Sequence, residues 1–132
     1  MNRSTMNERT TNPVGLLLAD DLLFTSRITG TARALNLTIK PARSVDALKA
    51  IATQEQPACI ILDLANPGLV TGEMIDWLKQ NCTPMPRVVA YGSHVDAATL
   101  RAARAAGCHE VMPRSQFAEL LPSQLAEWLK PL

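Results

Sequence analysis

The sequence predicts an α/β fold in which parallel strands alternate with helices. Short apolar runs alternate five times with segments of helical periodicity, a pattern typical of parallel sheets covered on both faces. Three of the runs have the composition of strands buried on both faces, whereas the second and fifth are short or alternate with polar residues. Those two strands therefore belong at the edges. The prediction is a flavodoxin-like (βα)5 doubly wound sandwich around a parallel five-stranded sheet of order 2-1-3-4-5.

The five strands follow from hydrophobic patterning. The first, third and fourth are continuous apolar runs, and the second alternates apolar with polar residues as an edge strand does. Pro41 directly after the second strand fits an edge as well. The predicted strands are residues 14–19, 37–40, 58–63, 87–91 and 110–112.

The helices follow from apolar spacing and from capping residues. Asn36 is predicted to stop the first helix, Ser44 to cap the second and Gly107 to end the fourth. Ser115 is predicted to cap the last helix, which Pro122 should kink or split. The remaining predicted bounds are residues 22–35 for the first helix, 71–81 for the third and 96–106 for the fourth.

Composition limits the classes of function. The chain has 132 residues and a net charge of +1, so charge gives no case for binding bulk nucleic acid or an anionic membrane. Three cysteines without a C-x-x-C pair argue against a disulfide or zinc framework and favour the cytoplasm. No run approaches the length of a membrane span. Residues 1–13 are interpreted as a disordered tail, and residues 14–132 as one domain.

Three carboxylates follow the strands at the predicted switch point of the sheet. Asp20 and Asp21 end the first strand and Asp63 ends the third, so we expect them to meet. Converging carboxylates raise a pKa or bind a cation, and oxygen ligands suit Mg²⁺ or Mn²⁺. Arg114 and Ser93, after the fifth and fourth strands, are candidates to stabilise a phosphoryl group. The alternatives are that Asp20 caps a helix and that Asp63 belongs to an Asx turn.

These motifs resemble the receiver domain of bacterial response regulators. The residues from Leu17 to Asp21 resemble its acidic pair, and those from Ile61 to Gly68 resemble its phosphoacceptor strand and turn. The resemblance implies that Asp63 accepts a phosphoryl group. It also implies that Asp20, Asp21, Asp63 and the Ala65 backbone carbonyl hold Mg²⁺ (or Mn²⁺).

The chain departs from the receiver pattern at the positions that follow or belong to the fourth and fifth strands, so it resembles an atypical member of the family. Gly92 stands at the usual Thr or Ser position. Ser93 could supply the missing hydroxyl only if the end of the fourth strand were shifted in register by one residue. Arg114 stands in place of the usual Lys, and Ser115 in place of the following Pro. Val111 stands at the position on the fifth strand where receivers usually have an aromatic residue that responds when the domain is activated.

Two functions remain open at this point. The first is a single-domain receiver in a phosphorelay, phosphorylated by a histidine kinase or phosphotransfer protein and acting on a downstream protein partner. The second is a pseudo-receiver, an interaction module independent of phosphorylation. An enzyme is not expected, because a haloacid-dehalogenase-type phosphatase needs an Asp at the position of Ala65 and no Gly-x-Gly-x-x-Gly follows the first strand.

Two further groups of residues allow two interpretations each, and His109 allows one. Arg101 and Arg104 fit either a homodimer through the fourth helix, fifth strand and fifth helix or a solvated helix face. His94 either faces the site or is a loop residue. His109 has no second ligand at metal spacing and is expected at the surface.

Overall fold

The computed structural model describes residues 12–132, so residues 1–11 of the predicted tail lie outside the described residues. One parallel sheet has the order β2-β1-β3-β4-β5, which confirms the predicted fold. The strands are β1 (Val14–Leu18), β2 (Thr38–Ala42), β3 (Cys59–Asp63), β4 (Arg87–Gly92) and β5 (Glu110–Pro113). The helices are α1 (Leu22–Ala34), α2 (Val45–Glu55), α3 (Thr71–Asn81), α4 (Ala97–Ala106) and α5 (Arg114–Trp128).

The core is divided by the sheet into two apolar clusters. Successive residues of a strand point to opposite faces, so Leu17 and Ile61 pack on one side while Leu16 and Ile60 pack on the other. The first cluster includes buried residues of α1 and α5, and the second includes buried residues of α2, α3 and α4. Helices on both faces explain why the central strands are apolar throughout.

Aromatic rings fill the first cluster next to the carboxyl end of the sheet. The Phe117 ring centroid lies 4.7 Å from that of Tyr91, 6.1 Å from Phe24 and 5.4 Å from Trp128. Tyr91 and Phe117 are fully buried. This aromatic cluster joins α1, β4 and α5 directly beneath the strand ends that carry the candidate site.

Most of the predicted helix ends are confirmed by the backbone. Asn36 has a φ of 59° just after α1, and Gly107 has a φ of 113° at the end of α4. The Ser44 Oγ accepts a hydrogen bond from the Ala47 backbone N–H at 3.1 Å, as an N-cap does. Gly68, with a φ of 82°, follows Pro67 in the turn after β3, where a positive φ favours glycine.

Three predictions about prolines and caps are wrong. Pro41 lies inside β2 rather than after it, which an edge strand tolerates because one side of its backbone is unpaired. Ser115 does not cap α5, because the helix already begins at Arg114 and Pro113 supplies the extended residue before it. Of the kink or split predicted at Pro122, the split is wrong, because α5 is one continuous helix whose buried residues on both sides of Pro122 pack into one cluster.

Two glycines are expected to respond to alanine in opposite directions. Gly30 lies inside α1, where an added Cβ meets nothing within 4 Å, so Gly30→Ala should stabilise the protein by about 0.5–1 kcal/mol. Gly15 is buried in β1, where a Cβ would stand 2.5 Å from Ile39 Cδ1 and 3.0 Å from Leu129 Cδ2. Gly15→Ala should therefore destabilise the protein. Urea unfolding of the two variants measures both effects, and equal shifts would contradict the packing at Gly15.

His109 links β4 to the start of β5 and should make stability depend on pH. Its Nδ1 accepts a hydrogen bond from the Val88 backbone N–H at 2.8 Å, and this requires that nitrogen to be unprotonated. Burial, and then the Arg87 charge, lower the His109 pKa below its usual 6.5. The hydrogen bond from Val88 to His109 therefore contributes fully to the free energy of unfolding above the unfolded-state pKa of His109. That contribution is lost as pH falls below about 6.5.

The pH effect can be measured with a variant that does not titrate. Unfolding free energies of the wild type and His109→Gln, each at about pH 7.5 and about pH 5.5, give the two pH dependences. The wild type is expected to lose more stability on acidification than His109→Gln. Parallel pH dependences would show that the Val88 contact does not discriminate between the protonation states.

No helix within residues 12–132 combines the length and the apolar character needed to cross a bilayer.

Candidate functional site

The candidate site lies at the carboxyl end of β3, where Asp63 is the last residue of the central strand. Its side chain is only 6% exposed. One carboxylate oxygen, Oδ1, accepts a hydrogen bond from the Ala65 backbone N–H at 2.9 Å, which is the Asx-turn contact. The other oxygen, Oδ2, faces Arg114. The turn contact thus orients the carboxylate so that its second oxygen pairs with Arg114.

Asp21 reaches the same place from the neighbouring strand, β1. It is the N-cap of α1, and its Oδ1 accepts a hydrogen bond from the Phe24 backbone N–H at 3.1 Å. That hydrogen bond is the main cause that lowers the Asp21 pKa below 3.8, and Arg114 lowers it further. The helix cap anticipated at Asp20 is therefore formed by Asp21.

Arg114 bridges the two carboxylates from the first residue of α5. Its Nη1 lies 3.2 Å from Asp21 Oδ2, and its Nη2 lies 3.4 Å from Asp63 Oδ2. The guanidinium also lies over the Phe24 ring at 4.7 Å and near the Tyr91 ring at 5.8 Å. Arg114 is thus held by two carboxylates and two rings, and it faces the two acids, a direction that the sequence left open.

Asp20 does not join the other two carboxylates. Its side chain is half exposed and pairs with Arg43, which follows β2, at 3.3 Å. Within residues 12–132, no three His, Cys, Asp or Glu side chains are grouped closely enough to hold a metal ion. The expected meeting of three acids is therefore not seen, because one guanidinium separates Asp21 from Asp63 and another holds Asp20.

A cavity of about 400 Å³ opens beside Asp63. The predicted residues Ala65, Gly92, Ser93 and Arg114 line it, together with His94 and Ser115. Its size exceeds the space for one water molecule many times over. The cavity gives a small anion or a partner side chain access to the edge of the Asp63 site.

The β4 side of the cavity lacks a hydroxyl at Gly92, and the packing leaves little room for one. A Cβ on Gly92 would lie 3.3 Å from Leu100 Cδ2, slightly tighter than ordinary contact, and 3.4 Å from Leu64 Cδ1, at the limit of ordinary contact. The neighbouring Ser93 Oγ accepts a hydrogen bond from the Val95 N–H at 3.3 Å. Ser93 thus lines the cavity while its oxygen also supports the turn before α4.

Sequence reasoning missed three neighbours of the site. Tyr91 is paired in register with Asp63, and its hydroxyl is buried beside that carboxylate. Burial, and then the Asp63 charge, raise the Tyr91 pKa. Phe24 supports the guanidinium, and Arg43 holds Asp20. A signal for Arg43 existed, since it directly follows the second strand and hence lies at the same edge of the sheet.

The residues do not fit a divalent ion as they are arranged. The donor set has the oxygen chemistry that Mg²⁺ prefers. The Oδ2 atoms of Asp21 and Asp63, however, both face Arg114, and Asp20 is paired with Arg43. The sequence-based assignment of Mg²⁺ to Asp20, Asp21, Asp63 and Ala65 would require both guanidinium groups to leave.

Solved structures share this architecture. A response regulator signal receiver domain from Bermanella marisrubri has a TM-score of 0.77 and 20% identity over 90% of this chain and 99% of that chain. The receiver domain of NtrX from Brucella abortus has a TM-score of 0.73 and 18% identity over 88% and 97%. The fold is that of a response-regulator receiver domain.

The chemotaxis response regulator CheY4 of Vibrio cholerae has the same receiver fold, with a TM-score of 0.74 and 14% identity over 89% of this chain and 99% of that chain. No family model and no curated protein sequence matches the chain. The receiver fold is therefore shown by structure alone. What this chain does with the fold must be argued from its own site.

Proposed function

We propose that this chain is a receiver module in which Asp63 accepts a phosphoryl group and output passes through protein contacts. The placement of Asp63 supports the proposal most. Its carboxylate ends the central strand, is fixed by the Ala65 N–H and lies beside both a cation and a 400 Å³ cavity. A carboxylate held in this way is a nucleophile with space in front of it.

The transfer step uses groups that the site already contains. A carboxylate oxygen of Asp63 attacks the phosphorus atom of a phosphorylated donor, the bond from phosphorus to the donor breaks, and an acyl phosphate forms on Asp63. The donor leaves with the electrons of that bond. Arg114 provides positive charge beside the oxygens of the transferred group, in the role that the sequence assigned to it. No step of this transfer is assigned to Mg²⁺, because the acids that would hold it are paired with Arg43 and Arg114.

A histidine kinase or phosphotransfer protein is the proposed donor, and a protein partner is the proposed target. The exposed residues Arg101, Leu23 and Val95 leave surface for such partners on α4, on α1 and on the loop after β4. Arg104 is partly engaged, since its Nη2 donates a hydrogen bond to the Val111 carbonyl at 3.2 Å. A homodimer through α4, β5 and α5 therefore remains a proposal. We keep the cytoplasm as the proposed location because Cys59, Cys82 and Cys108 are free thiols.

The second candidate function is an interaction module that works without phosphorylation. The absence of a side chain at Gly92 favours it, because this position offers no hydroxyl to a phosphoryl group and an added Cβ would already meet Leu100 Cδ2 at 3.3 Å. Arg114 already pairs with both acids of the site, one positive charge against two carboxylates. In this alternative the fold presents a fixed surface, and Asp63 and Arg114 form a structural ion pair.

One reaction distinguishes the two functions. The purified chain is incubated with acetyl phosphate, and intact-mass spectrometry measures any gain of one phosphoryl group. We expect a gain in the wild type and none in Asp63→Asn, which keeps the shape of the side chain but lacks the carboxylate. Asp20→Asn is the matched control and should still be modified, because Asp20 pairs with Arg43 outside the Arg114 bridge. An unmodified wild type would reject the first function in favour of the second.

A further inference from the structure

We infer that Arg114 is a permanent internal cation that stands in place of a divalent ion at this site, so that the site binds Mg²⁺ or Mn²⁺ well only after Arg114 is removed. The inference concerns the charge balance of the resting site. It does not rest on the transfer of a phosphoryl group to Asp63.

The contacts of Arg114 are those of a bridging cation. Two of its nitrogens face one oxygen each of Asp21 and Asp63, which come from neighbouring strands. Two carboxylates this close to one another repel unless a positive charge lies between them. The planar guanidinium can bond both at once, whereas the compact ammonium of Lys acts as a point charge. Arg at this position can therefore bridge Asp21 and Asp63 with two separate nitrogens, which Lys could not do.

The position of Arg114 is supported at its backbone and at its guanidinium group. Its backbone lies where β5 passes directly into α5, so the chain at its base belongs to regular structure on both sides. Its guanidinium lies over the Phe24 ring at 4.7 Å, and Phe24 packs against Tyr91 in the aromatic cluster. A metal ion entering the site would have to displace a cation that is bonded to both ligands and packed on a ring.

The remaining acid is also occupied by a cation. Asp20 pairs with Arg43, so the third carboxylate that would strengthen a metal site is turned to a second guanidinium. Arg43 and Arg114 differ in what they touch, since Arg43 meets an exposed acid alone and Arg114 meets the buried Asp63. This difference provides a matched pair of variants that remove the same charge from the same edge of the sheet.

Mn²⁺ binding measured by electron paramagnetic resonance of the free ion tests the inference. Mn²⁺ takes the same oxygen ligands as Mg²⁺. We expect Arg114→Gln to bind Mn²⁺ at least about tenfold more tightly than the wild type. Arg114→Lys should fall between the two, and Arg43→Gln should match the wild type. The double variant Asp21→Asn/Arg114→Gln should lose the gained affinity. Circular dichroism of each variant confirms that it is folded.

The outcomes separate cleanly. Equal Mn²⁺ affinities of the wild type and Arg114→Gln would overturn the inference, because displacing Arg114 would then require no free energy. So would equal gains in Arg43→Gln and Arg114→Gln, which would reflect net charge alone. Failure of Arg114→Gln to bind would show that Asp21 and Asp63 are not arranged as ligands. No phosphoryl donor is present, so a failure here is distinct from failure of the acetyl phosphate reaction.

Discussion

Phe117→Ala is expected to lower the free energy of unfolding by about 3–5 kcal/mol. The Phe117 side chain is fully buried and contacts the rings of Tyr91, Phe24 and Trp128. Removing it leaves a cavity between α5 and the sheet that three large rings cannot fill without leaving their own positions. Urea unfolding of the wild type and variant, followed by tryptophan fluorescence and by circular dichroism, measures the loss.

An exposed leucine provides the control for Phe117. Leu23 is 87% exposed on α1, so Leu23→Ala should change stability by no more than about 0.5 kcal/mol. A loss below about 1 kcal/mol for Phe117→Ala would mean that the aromatic cluster does not carry the packing of α5. The cluster matters for function because its rings Phe24 and Tyr91 also support the guanidinium of Arg114.

Arg114→Ala is expected to destabilise the protein by about 1–3 kcal/mol when divalent ions are chelated. The Asp63 carboxylate would keep its hydrogen bond from Ala65 but would remain buried without a cation. Arg114 is itself 43% exposed, so solvent screening keeps the loss below the 3–5 kcal/mol typical of fully buried pairs. Chemical unfolding in the presence of a chelator measures the loss and excludes rescue by adventitious metal.

A double-mutant cycle assigns the Arg114 effect to its partner. In the Asp63→Asn background the side chain at 63 is neutral, so adding Arg114→Ala should cost less than it does in the wild type. Arg43→Ala removes a guanidinium from an exposed pair and should cost no more than about 1 kcal/mol. Additive effects of Arg114→Ala and Asp63→Asn would show that the two side chains do not interact in solution.

The order of elements and the sheet could be predicted because the signals for them are local. The apolar run that forms β3 and the turn at Asn66, Pro67 and Gly68 are adjacent in the chain, and together they place Asp63 at a strand end. The extent of α3, at residues 71–81, was predicted from apolar spacing alone. The cap at Ser115 was wrong, because a helix start depends on how the preceding strand leaves the sheet, which no single residue type determines.

The sequence predicted that several charged side chains would lie near one another at the strand ends, but it did not predict which of them would pair. Asp21, Asp63 and Arg114 were identified from strand ends and are found together. The partner of Asp20 was not identified, because the position of Arg43 after the edge strand places it at the right edge of the sheet but does not show which acid it meets. The crowding at Gly92 could not be predicted either, since it depends on Leu100 from the following helix.

By itself, the sequence determined that five strands and five helices alternate and which carboxylates reach the carboxyl edge of the sheet. Periodicity and turn chemistry act over a few residues, so a single chain displays them directly. Only the tertiary structure decided which cation meets which acid. Arg114 lies 93 residues from Asp21 and 51 from Asp63, and the three side chains come together only because β5 delivers Arg114 to the edge where β1 and β3 end.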